Sequence, residues 1–156
     1  MRIGRSPTRL MSDITIDANI DMNGYGFTEA GNMTLLKNSG IQMLAALVTD
    51  GDWSGHTVIG TAGENLSAGE VCYLKSDGKL WLADANDAAK MPVKAMATAD
   101  ITADETGVFL LDGFMREDDW NWTVGNSLSA SATPGAMTAT APAVSGDQQQ
   151  RIAIAV

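Results

Sequence analysis

The chain has very little of the chemistry on which metal sites and covalent catalysis depend. Among its 156 residues there is one cysteine, Cys72, and one histidine, His56. A single cysteine excludes a disulfide within the chain, and one cysteine with one histidine cannot supply the usual ligands of a zinc ion. We therefore expect no metal site and no cofactor. Cys72 is interpreted as a small buried apolar residue, because it shares a strand face with Leu74.

Patterns typical of enzyme active sites are also missing. The sequence contains no nucleophile elbow, no phosphate-binding glycine loop and no dinucleotide-binding fingerprint. Residues 50–56 are predicted to form a loop, so His56 is expected to be a solvated side chain. Carboxylates cluster in predicted turns, but neighbours in a loop are not held across a cleft as glycoside hydrolysis requires, and the spacing of a calcium-binding EF-hand is absent. We expect no catalytic residue and predict that the protein is not an enzyme.

Long apolar runs and basic side chains are scarce as well. No stretch approaches the roughly 20 apolar residues that span a bilayer, and the N-terminal residues MRIGRSPTRL lack the apolar centre of a signal peptide. Ten basic side chains stand against 19 acidic ones, for a net charge of -9. Since an acidic surface repels phosphate, we expect no nucleic acid as a partner, and the lack of a long apolar stretch leads us to expect no membrane.

The few basic residues are unevenly distributed. Arg2, Arg5 and Arg9 precede the first acidic residue, so residues 11–156 carry seven basic side chains against all 19 acidic ones. Residues 1–12 are predicted to be a basic extended arm, because such a short polar segment becomes ordered only against a partner. The alternative is a frayed tail.

The residues that are abundant indicate an all-β protein. Sixteen glycines and short apolar runs describe short strands joined by tight turns. Residues 13–56 are predicted to be an extended β segment that mediates assembly, with strand alternation at Ile14 to Ile16. The apolar run 41–48 fits a short helix or a strand, and the strand is preferred because turn residues flank it.

The second half of the sequence contains an internal repeat. Residues 69–99 and 125–156 each consist of a hairpin followed by a lone strand, with turns at Asp77-Gly78 and Pro134-Gly135. Residues 57–156 are therefore predicted to be a compact β-barrel or sandwich built from a duplicated hairpin-plus-strand unit. The apolar residues 108–111 are expected to be a central strand.

Four tryptophans are the candidates for contact or binding. Trp81 lies opposite the core face of its strand, where it suits a subunit contact, although both faces of the strand could be buried in a sandwich. Trp120 and Trp122 share one face of an extended segment. Their side chains either pack in the core and close the barrel or form an exposed surface that binds a ligand. Together with Trp53 they form the alternative ligand platform.

Two stretches of the sequence carry a resemblance to a known family. Residues 61–156 resemble a domain in virion proteins of tailed bacteriophages. The resemblance is carried by four stretches, TAGENLSAGEVCYLKSDGKLWLADA, FLLDGFMREDDWNWTVGN, TPGAMTATAP and GDQQQRIAIAV. That domain occurs at the ends of tail-fibre proteins and is more loosely similar to head-decoration proteins. Residues 14–36 resemble the short β segments that precede such domains, through the sequence ITIDANIDMNGYGFTEAGNMTLL. The tail-fibre domains continue past the last repeat strand, whereas this sequence stops at Val156.

The resemblance implies a structural protein of the virion, assembled in the host cytoplasm as a homotrimer. In the preferred placement it is a capsid decoration, or cement, protein that contacts the major capsid protein and bridges subunits through its arm and the β segment after it. In the alternative it is a tail-fibre or baseplate-associated adhesin that contacts tail proteins and binds a host-surface glycan. The short segment 13–48 favours the first placement, since an independent fibre needs more shaft.

Overall fold

A computed structural model of the chain describes residues 47–156, which form eight β-strands and one 3-10 helix, Ala88–Lys90. The strands are β1 (Trp53–Thr61), β2 (Val71–Leu74), β3 (Leu80–Leu82), β4 (Ala95–Ala97), β5 (Thr106–Met115), β6 (Ser127–Ala130), β7 (Met137–Thr138) and β8 (Arg151–Ile154). The part of the chain that is described contains no α-helix, which confirms the all-β prediction for it. The predicted arm with Arg2, Arg5 and Arg9, and most of the predicted segment 13–56, lie outside the described residues.

The strands form two antiparallel sheets. The five-stranded sheet has the order β1-β5-β4-β2-β3, and the three-stranded sheet has the order β7-β6-β8. The strand predicted at residues 108–111 belongs to β5, which pairs with β1 on one side and β4 on the other. Its central position is therefore confirmed.

The same pairing pattern occurs in both copies of the repeat. In the first copy β2 and β3 form a hairpin and β4 pairs with β2; in the second copy β6 and β7 form a hairpin and β8 pairs with β6. The predicted turns lie at the hairpin ends, where Gly78 and Gly135 have φ values of +80° and +75°. Glycine suits both positions because it reaches the left-handed region without a Cβ clash.

Two separate cores fill the fold. The first core is a cluster on one face of the five-stranded sheet and the loops beside it: Ala62, Leu66, Cys72, Leu80, Ala95, Ala97, Ile101 and Phe109. The second core joins the opposite face of that sheet to the three-stranded sheet through Val71, Tyr73, Ala83, Leu128 and Met137. Because successive residues of a strand point to opposite faces, Cys72 enters the first core while its neighbours Val71 and Tyr73 enter the second.

The prediction of a barrel is wrong for the described strands, which do not close into one. The five-stranded sheet curls until Ala62, just after β1, meets Leu80 of β3 in a single parallel bridge. One bridge is not a strand pairing, and β1 and β3 remain the edges of the sheet. The two sheets instead share the second core as packed layers.

The loop predicted at residues 50–56 is shorter than expected. β1 begins at Trp53, so Trp53 and His56 lie on a strand and the predicted domain boundary between residues 56 and 57 falls inside it. The register of β1 against β5 shifts between His56 and Thr57. Gly55 and its partner Gly113 lie beside this shift, and glycine in a strand often marks such an irregularity.

Candidate functional site

A groove of about 840 Å³ lies between the two sheets among the described residues. Its apolar lining comes from both sheets: Met96 and Leu110 from the five-stranded sheet, and Ile152 and Ala153 from the three-stranded one. Met96 and Leu110 are cross-strand partners on β4 and β5. Since directly opposed residues point to the same face, these two side chains form one continuous apolar surface.

The groove is flanked by strand edges on two sides. β4 pairs with β5 only as far as Leu110, so Asp112 to Met115 pair with β1 alone among residues 47–156. On the other side, β8 is the last strand of the three-stranded sheet and pairs only with β6 within the described part of the chain. An unpaired edge presents backbone N–H and C=O groups that can bind a further strand.

Charged side chains lie among the groove residues. Arg116 forms an ion pair with Asp118, with Nε 2.7 Å from Oδ1, and its Nη1 donates to the Leu47 carbonyl oxygen at 3.3 Å. Lys94 and Arg151 also line the groove, and neither forms an ion pair with another described residue. The site therefore combines an apolar surface with two cations that have no charged partner there.

Trp120 and Trp122, two of the sequence-predicted platform residues, come together at this groove. Both line it, and both are half-buried against the second core. The Trp120 ring packs over Gly69, where an added Cβ would lie 2.7 Å from the ring atom Cζ2. The indole nitrogen of Trp122 is buried and has no hydrogen-bond acceptor among residues 47–156. A buried donor without an acceptor costs about 1–3 kcal/mol.

Trp53 does not join the other two. It is exposed on β1, opposite Met115, and does not line the groove. The predicted three-tryptophan platform is therefore not formed as a single surface by the described residues.

Trp81, the predicted contact residue, is half-buried and its ring is contacted by other residues of the chain. Lys75 Nζ lies 4.0 Å from the ring centre, and a Cβ added at Gly63 would lie 2.0 Å from the ring. The indole nitrogen donates to Asp77 Oδ2 at 3.1 Å. These contacts attach the ring to the first hairpin and to the loop before it, and the subunit contact of Trp81 stays a prediction.

An acidic cluster lies beside the groove at the end of β5. Partial removal from water raises the pKa of Glu117 above its ordinary value, and the neighbouring carboxylates of Asp50, Asp119 and Asp118 raise it further. The Asp118 amide donates to Asp50 Oδ1 at 2.8 Å, which holds the two loops together. The cluster adds negative potential to one end of the groove.

The remaining chemistry-bearing residues are dispersed. His56 Nδ1 lies 3.4 Å from Asp112 Oδ2, and both side chains are largely exposed. Cys72, in contrast, is buried in the first core. No group of three metal-ligating side chains occurs among residues 47–156, and no helix described there is long and apolar enough to cross a membrane.

Sequence reasoning missed most of the groove. It identified Trp120 and Trp122 but not Lys94, Leu110 or Arg151, because these residues come from strands that meet only in the folded chain. The one local signal is the alternation in residues 151–156, which marks a strand without indicating what lies beside it.

Comparisons with known proteins add no relative. No protein-family model matches the chain, and no curated protein or solved structure matches it.

Proposed function

We propose that this protein is a structural component of a tailed-bacteriophage virion, and that it acts as a capsid decoration protein bridging neighbouring subunits. The sequence resemblance supports the virion, and the exposed edge of β1 supports the bridging role. Its partners on this proposal are the major capsid protein and two further copies of itself.

The observation that carries the proposal is the apolar character of that edge. Among the strands of residues 47–156, β1 is an edge strand of nine residues, and it contains no lysine, arginine or proline, the residues that commonly protect an edge from pairing. Val58 and Ile59, consecutive and therefore on opposite faces, are both exposed, Ile59 to 74%. Each hundred Å² of apolar surface removed from water contributes roughly 2.5 kcal/mol before ordering costs, so covering this edge would favour assembly.

Charge separation gives the proposal further support. Residues 47–156 carry 15 acidic and six basic side chains, whereas Arg2, Arg5 and Arg9 precede every acid. Opposite charges on two parts of one chain favour docking onto a lattice of copies and fix its orientation. The arm of residues 1–12 is the part we assign to the capsid contact.

The test is attachment of edge variants to purified heads that lack the protein. Ile59→Lys places a charge at the edge and should reduce the bound copies at least tenfold. Val144→Lys is the matched control, since Val144 is also 74% exposed but lies outside the strands. Wild-type attachment of the Ile59→Lys protein would contradict the bridging role.

A second candidate is an adhesin that binds a host-surface glycan. It is favoured by one observation, that Trp120 and Trp122 line an open groove together with Asp112 and Glu117. Aromatic faces beside carboxylates suit sugar rings. Quantitative mass spectrometry of separated heads and tails distinguishes the two: hundreds of copies on heads support decoration, and a few copies on tails, in multiples of three, support the adhesin.

A further inference from the structure

The groove between the two sheets brings together one cation from each copy of the repeat. Lys94 directly precedes β4, the lone strand of the first copy, and Arg151 begins β8, the lone strand of the second. Both side chains are exposed, and both line the groove. The two cations thus come from corresponding places in the two copies.

A pair of hydrogen bonds joins the chain next to each cation. The Val93 amide donates to Gln150 Oε1 at 2.8 Å, and Gln150 Nε2 donates to the Val93 carbonyl oxygen at 3.2 Å. Because Lys94 follows Val93 and Arg151 follows Gln150, these two bonds hold the two cations near each other. The Lys94 amide also donates to the Cys72 carbonyl oxygen at 2.7 Å. The fold therefore sets the position of both cations.

The other four basic side chains of residues 47–156 are already engaged by neighbours. Three form ion pairs and one lies over an aromatic ring: Lys79 with Asp104, Lys90 with Asp84, Arg116 with Asp118, and Lys75 over Trp81. Lys94 and Arg151 form no ion pair within the same residues. Two positive charges in one groove without a carboxylate partner there attract a negatively charged group.

The other groove residues narrow the choice of anion. Trp120 and Trp122 offer aromatic surface, and Asp112 and Glu117 offer carboxylate oxygens that accept hydrogen bonds from hydroxyl groups. Inorganic phosphate would use neither feature. A sugar that bears a carboxylate uses all of them, since its ring has an apolar face and its hydroxyl groups donate.

We propose that the groove is a binding site for an acidic sugar, whose carboxylate lies between Lys94 and Arg151. The Arg151 guanidinium can hold a carboxylate through two parallel hydrogen bonds, and the Lys94 ammonium can add another. The groove volume of about 840 Å³ lies within the range of known ligand sites, roughly 300–1,000 Å³. The inference rests on the second candidate function, in which this groove binds a glycan.

The experiment measures binding of short oligomers of galacturonic acid and of guluronic acid to the full chain by isothermal titration calorimetry. Each oligomer is compared with its methyl ester, which keeps the ring and the hydroxyl groups but carries no charge. The acidic form of at least one oligomer should bind, and its ester should bind about tenfold more weakly or less, because charge-assisted hydrogen bonds are lost.

Arg151→Gln tests the assigned cation. It should weaken binding of the acidic oligomer by about tenfold and leave binding of the ester unchanged. Lys75→Gln is the matched control, because Lys75 is a cation without an ion pair among the described residues and does not line the groove. Equal losses in the two variants would indicate attraction by overall charge and would overturn the site.

Hydrogen exchange of the unaltered protein locates the site without a variant. The acidic oligomer should slow exchange in residues 93–96 and 150–155. Slowing only elsewhere, or no binding of either acidic oligomer, would overturn the proposal. Equal binding of acid and ester would overturn the acidic class and leave glycan binding standing. Failure of the second candidate function is read separately, from the absence of the protein in the tail fraction.

Discussion

At the scale of single residues, Cys72 is controlled by its surroundings. The thiol lies in the first core with no exposed surface, and Sγ donates to the Glu70 carbonyl oxygen at 3.7 Å. Burial raises the pKa of Cys72 to about 12, and the negative charges of Glu70 and Glu64 act in the same direction. Since the thiolate is the reactive species, the native thiol should be inert at neutral pH.

We predict that Cys72 reacts with a thiol reagent only when the chain unfolds. In native protein at pH 8 the rate with 5,5′-dithiobis(2-nitrobenzoate) should be at least a hundredfold below that in denaturant. The measurement is absorbance of the released thiolate over time. Reaction of native Cys72 at the denatured rate would show that the first core opens freely.

Glu117 responds to pH in the opposite sense from a salt-bridged acid. Its raised pKa means that the folded chain binds this proton more tightly than the unfolded chain does. Stability from that proton is present below the ordinary glutamate range, about pH 4, and is lost as pH rises through the folded-state pKa. Glu117→Gln removes the titration, so its stability relative to wild type should increase between pH 4 and 7. Chemical denaturation across this range is the measurement, and parallel pH curves for the two proteins would contradict it.

At the scale of elements, the pairing of β1 with β5 depends on two facing glycines. Gly55 and Gly113 are opposite each other beside the register shift. A Cβ at Gly55 would lie 2.1 Å from the Asp112 carbonyl oxygen and 2.8 Å from the Gly113 Cα. These are backbone atoms, so the clash can be relieved only by separating the strands.

We predict that Gly55→Ala lowers the free energy of unfolding by about 1–3 kcal/mol, the usual cost of overpacking. Gly60→Ala on the same strand is the control. Its closest contact would be the terminal Leu80 Cδ1 at 2.8 Å, a side-chain atom that can rotate away. Urea denaturation of both variants tests this, and equal losses would argue against a backbone clash at Gly55.

At the scale of the whole molecule, two cores share one five-stranded sheet. β2 contributes to both, with Cys72 in the first core and Val71 and Tyr73 in the second. The second copy of the repeat packs only on the second core, through Leu128 and Met137. Duplication of the strand pattern therefore does not make the two copies equivalent, because among the described strands β5 and β1 extend the sheet of the first copy and none extends that of the second.

Much of the local structure could be predicted from sequence because it depends on neighbouring residues. The hairpin turns were predictable from Gly78 and Gly135, whose left-handed backbone suits glycine. The strand character of residues 71–74 and 151–154 follows from their residue types and alternation. The limits of β1 were not predictable, because Trp53 and His56 are in a strand only through pairing with Met115 and Asp112, more than 50 residues away.

The sequence by itself therefore determined the all-β class, the two hairpins and the scarcity of catalytic chemistry, since these depend on residue type and short-range geometry. Only the tertiary structure decided that the described strands form two sheets rather than a closed barrel. It also decided that Trp120 and Trp122 meet Leu110 and Ile152 in one groove. These features depend on which distant strands pair and where each pairing stops, and strand alternation specifies a face without specifying a partner.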